Sequence, residues 1–156
     1  MSTSAASSSS ALQPYDLPEK EDEFVPQGPS PTHAYGIVMD DHCLRRRAAV
    51  LYQELYGEDP AKTLSPKAAR KALDDLRPLA LSTIPSDVYL EVPGLPQYKR
   101  NIILLNDSRG LWLLVFKDNS SRAALRAPLD PEDVKKAKRF LGLQWQSAKW
   151  YRVPVE

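Results

Sequence analysis

The sequence predicts an α+β domain: a helical hairpin, an antiparallel β-meander, a third helix and a C-terminal strand, in the order ααβββαβ. Three observations carry this expectation. Apolar residues recur every three or four positions in 41–77 and again in 131–141. Between those stretches the period shortens to two or gives way to short continuous apolar runs. Glycines and prolines punctuate the changes of period. With 156 residues, against roughly 100–200 per domain, the chain reads as one domain over 34–156 behind a tail over 1–33.

The tail holds five of the 14 prolines, the serine run 7–10, and one lysine against five acids. Its charge is therefore −4, which leaves +5 for 34–156 out of a total of +1. It carries few large apolar side chains to offset an ordering entropy of about 1–2 kcal/mol per residue, so it is expected to be disordered. Residues 1–10 lack the basic and apolar regions of a secretory signal, and the first basic residue, Lys20, comes too late for a mitochondrial presequence. No apolar run approaches the ~20 residues of a membrane span. The expected location is the cytosol or nucleus, and the Ser- and Pro-rich acidic start is eukaryotic in style. Pro26 and Pro29 make a PxxP spacing and Ser30-Pro31 a proline-directed phosphorylation pattern, both common in proline-rich tails.

The elements follow in order. Tyr35 to Met39 reads as a small strand or an apolar lead-in to the first helix. Asp40 or Asp41 can cap a helix over 41–56, whose stripe is Leu44, Ala48, Leu51, Tyr52 and Leu55 and whose stop is Gly57. Ser65-Pro66 opens a second helix, lined by Ala69, Ala72, Leu73 and Leu76, which Pro78 is expected to end at 77. Alternation over Asp87 to Val92 predicts a strand, and 93–96 a turn. Tyr98 to Leu105 and Leu111 to Phe116 complete the meander around a turn at 106–110. Their runs are apolar on both faces, as in a strand covered on two sides. Asp130-Pro131 opens the third helix, with the stripe Val134, Ala137, Phe140 and Leu141 and the stop Gly142. Leu143 to Val153 reads as a final strand or strand pair. No internal repeat is present.

The motifs exclude several chemistries. All six glycines stand singly, so neither a phosphate-cradling GxxxxGK[ST] loop nor a GxGxxG turn can be assembled. His33, His42 and Cys43 fall short of the four ligands of a structural zinc site, and neither metal nor cofactor is expected. Within Asp40-Asp41-His42-Cys43, helical neighbours point about 100° apart, so His42 cannot serve as the base for Cys43; the run reads as a cap and a buried thiol. A lone cysteine forms no internal disulfide, which suits a reducing compartment. The acidic pairs Glu58-Asp59, Asp74-Asp75 and Glu132-Asp133 fall in a linker, on a polar helix side and in a helix first turn. No GxSxG elbow supports a serine nucleophile.

Two surface patterns remain. Trp145, Trp150 and Tyr151 with Arg152 have the composition of an interface hot spot and form the candidate partner-binding set. Arg45, Arg46, Arg47, Lys135, Lys136 and Arg139 form the candidate anion or nucleic-acid set, with Tyr98, Trp145, Trp150 and Tyr151 available to stack bases. Against the second set, Arg45 to Arg47 span roughly 200° of a helix and acids are interspersed. The expected function is a non-enzymatic protein-interaction module whose partner is another protein. Nucleic-acid binding is the alternative, and an enzyme whose site is scattered through the chain is the third reading.

Overall fold

The computed structural model describes residues 14–15, 31–97, 101–106 and 110–153. Its elements are β1 (Pro14–Tyr15), β2 (His33–Met39), α1 (Asp41–Tyr56), α2 (Pro60–Thr63), α3 (Pro66–Glu91), β3 (Ile102–Asn106), β4 (Leu111–Asp118), α4 (Arg122–Arg126), α5 (Pro131–Leu141) and β5 (Lys149–Arg152). The strands form one antiparallel sheet in the order β1-β5-β2-β4-β3. From β2 to β5 the chain runs βαββαβ with each crossover skipping one strand, the split-βαβ plan of ferredoxin-like folds. The α+β class is therefore present, but the element order is not the expected one. Most of the tail expected over 1–33 lies outside the described residues; Pro14–Tyr15 pair with β5, and His33 opens β2.

The largest difference lies in α3. It does not end at 77 but continues to Glu91 with Pro78 and Pro85 inside it, so the strand expected over 87–92 is helix. The three-stranded meander shrinks to the hairpin β3–β4, while Tyr35 to Met39 becomes the centre of the sheet, between β5 and β4. A proline in a helix interior removes one hydrogen bond and costs about 3 kcal/mol. The offset is packing: Ala80, Ile84 and Val88 recur every four residues and are buried, and each large side chain so buried contributes roughly 1.5–3 kcal/mol. Ser82 and Thr83 donate their hydroxyls to the Leu79 and Ala80 carbonyls at 2.8 and 3.0 Å, between the two prolines. Leu90, which a strand over 87–92 would place on the same side as Val88 and Val92, is 79% exposed.

The locally encoded ends are as expected. Asp40 accepts from the Cys43 N–H at 2.9 Å to start α1, and Gly57, at φ 73°, stops it. Asp130 caps α5 through the Glu132 N–H, and Gly142, at φ 70°, ends it. The short helices α2 and α4 lie outside the expected set.

One sheet face meets the helices in a core built on Ile37, Met39, Leu44, Ile84, Phe116 and Leu141. The other carries a second apolar cluster, including Ala34, Ile103, Leu113, Val115 and Tyr151, which explains the two-sided apolar runs of β3 and β4. Gly36 sits at a bulge in β2, where a Cβ would run into the Leu114 carbonyl.

Candidate protein-binding groove

The Arg45–Arg47 triplet reaches three different partners within the fold, with Arg46 still exposed. Arg45 meets Asp74 of α3 at 3.4 Å, and Arg46 donates to the Leu141 carbonyl at the end of α5. Arg47 bonds Asp87 at 3.0 Å and lies 4.7 Å above the Phe140 ring. Three consecutive side chains thus fasten α1 to α3 and α5, as the angular spread of helical neighbours requires. On α5, Lys135 pairs with Glu132 at 3.4 Å, and Lys136 and Arg139 are exposed. Of the six basic residues of the anion set, Arg45, Arg46, Arg47 and Lys135 are engaged within the fold, while Lys136 and Arg139 are exposed on α5. Tyr98 lies outside the described residues.

The C-terminal aromatics part company. β5 alternates, so Trp150 and Tyr151 point to opposite sheet faces and both are buried, at 7% exposure each. Trp150 packs 5.5 Å from Tyr35, its cross-strand neighbour, and Tyr151 joins the second cluster. These two do not offer a free aromatic surface. Arg152 is exposed at the strand end. Trp145 is 71% exposed, since it precedes the strand and stands on a turn closed by the Gln146 N–H to the Leu143 carbonyl at 3.0 Å.

Beside Trp145 opens a groove of about 470 Å³, within the usual range of about 300–1,000 Å³ for ligand sites. Val38, Leu111 and Tyr151 form its apolar lining. Gln146 fixes the turn against the sheet: its side-chain carbonyl accepts from the Val38 N–H at 2.6 Å and its amide donates to the Val38 carbonyl at 2.9 Å. The side chain continues the β2 ladder past the start of β5, and so holds Trp145 at the groove wall. Sequence reading found Trp145 and Tyr151 but missed Val38, Leu111 and Gln146, because their roles depend on strands distant in the chain.

The other polar features are structural seams. Asn119 is fully buried and joins the start of β2 to the end of β4: it accepts from the Thr32 and His33 N–H groups at 3.0 and 2.9 Å and donates to the Thr32 hydroxyl at 3.0 Å. His33, within 2.9 Å of that hydroxyl, has its imidazole pKa lowered by burial and by the nearby Arg152 charge. Burial pushes the Cys43 thiol up, which keeps it protonated and weakly nucleophilic. Tyr151 is likewise raised by burial. Among the described residues no group of three or more His, Cys, Asp or Glu converges as for a metal, and no helix is long and apolar enough to cross a membrane.

Compared with known protein families, curated proteins and solved structures, the chain matches none. The functional reading therefore rests on the geometry, since the split-βαβ plan hosts many unrelated activities.

Proposed function

We propose that this chain is a protein-interaction module of the cytosol or nucleus that holds a partner protein in the groove beside Trp145. The observation that supports this reading most is the exposed indole at the mouth of a partly apolar groove. Large aromatics of this kind supply much of the energy of protein interfaces when a partner desolvates them. The nucleic-acid alternative draws less support, because Arg45, Arg46 and Arg47 are engaged within the fold. The enzyme reading draws less as well: Cys43 belongs to the helix-side core and Tyr151 to the opposite cluster, while His33 lies at the strand seam.

The test is photo-crosslinking in cells with benzoylphenylalanine in place of Trp145, compared with the same group at Leu90, exposed on α3. The expected result is a discrete protein adduct from position 145 and none from position 90. Equal yields of adduct at both positions, or none at either, overturn the proposal. Steeply salt-dependent retention on nucleic acid would favour the alternative, because phosphate contacts release counterions.

A further inference from the structure

We infer that the segment seated in the groove is acidic and inserts one bulky aliphatic side chain; this rests on the interaction-module reading. The polar groups of the groove fall into two kinds. Gln146 uses both ends of its amide on Val38, and the Asp40 carboxylate caps α1 through the Cys43 N–H. The Asp40 charge also faces the positive end of the α1 dipole, which compensates it locally. Lys149, Ser147 and the Trp145 indole line the same groove, are exposed, and have no hydrogen-bond or ion-pair partner among the described residues. Each of these offers a donor, and Lys149 adds a positive charge with no comparable compensation among the described residues.

Among the described residues, the open side of the groove thus offers more unmet donors than acceptors, and its uncompensated charge is positive, so a partner must bring acceptors and negative charge. Carboxylates meet this need best, since hydrogen bonds from an ammonium to a carboxylate are roughly twice as strong as neutral ones. Val38, Leu111 and Tyr151 remain as apolar surface that a charged side chain cannot cover without a desolvation penalty. A leucine or isoleucine flanked by glutamate or aspartate meets both requirements. A basic segment would oppose Lys149, and a wholly apolar one would leave the donors unmet.

The test titrates the full chain with three fluorescent peptides: one leucine flanked on both sides by glutamates, the same peptide with alanine for leucine, and one leucine flanked by lysines. Saturable binding is expected for the first alone, weakening as salt rises. Lys149→Glu should weaken it by about tenfold or more and favour the lysine peptide, and Lys149→Gln should fall between. Equal binding of the acidic and basic peptides, binding indifferent to both Lys149 variants, or no binding overturns the acidic assignment. Self-association of the chain that removes the groove from solvent would assign it to a second copy and also overturn it. If benzoylphenylalanine at 145 captures a protein while the acidic peptide fails, only the partner chemistry falls; if both fail, the interaction reading falls with it.

Discussion

The arginine triplet of α1 and the aromatic segment at 145–152 are two groupings of interaction-prone side chains in the sequence, and the fold treats them differently. Arg45, Arg46 and Arg47 each bond a different partner within the fold, Arg46 while remaining exposed. The aromatic segment is divided, with Trp150 and Tyr151 packed against the sheet and Trp145 left in solvent. The difference teaches that composition marks where interactions concentrate, while the direction of each side chain decides whether they face the protein or a partner. A helix fans consecutive residues around its axis, whereas a turn leading into a strand exposes one residue and alternates the rest.

The comparison yields a graded set of expected effects. The largest belongs to the ground beneath the arginines: Leu141→Ala should destabilise by about 2–5 kcal/mol, as for other buried leucines, measured by urea unfolding. A change near that of a surface site would show that the α1–α5 seam is not closed. Gly142→Ala comes next, at about 1–2 kcal/mol, because the residue is left-handed and the Arg46 guanidinium occupies the place of a Cβ. Arg47→Ala should cost about 1 kcal/mol through the lost Asp87 bond and Phe140 contact, with little effect on partner capture at position 145. Loss of capture with stability intact would reassign Arg47 to the open region.

A smaller effect links the two ends of β2 and β5. His33 has a lower pKa in the fold than the ordinary 6.5, so the unfolded chain takes up the proton first. Stability should be complete above pH 6.5 and decline as pH falls below it, and NMR titration of Arg152→Gln should show the His33 pKa rising toward its ordinary value. Smallest of all, Trp145→Ala should change stability by less than about 0.5 kcal/mol while abolishing saturable binding of the leucine peptide flanked by glutamates. A destabilisation comparable to Leu141→Ala would mean that Trp145 belongs to the core.

Much of the local grammar was legible without coordinates. Asp40 and Gly57 bound α1, Ser65-Pro66 opens α3, and Asp130-Pro131 and Gly142 bound α5, since caps, prolines and left-handed glycines act on bonds within a few residues. The α+β class followed from the change of period. The candidate site was legible only in part: an exposed tryptophan has the same sequence signature as a buried one, and Gln146 has no local mark of its grip on Val38.

What the sequence by itself determined about this protein is where α1 and α5 begin and end, where α3 begins, and that the chain is of the α+β class. Tertiary structure alone decided that α3 runs through Pro78 and Pro85, that β2 lies at the centre of the sheet, and which aromatic reaches solvent. The physical reason is range. Capping energies act within one helical turn, whereas the burial that outweighs two prolines, and the strand pairing that hides Trp150 but not Trp145, depend on residues brought together only by folding.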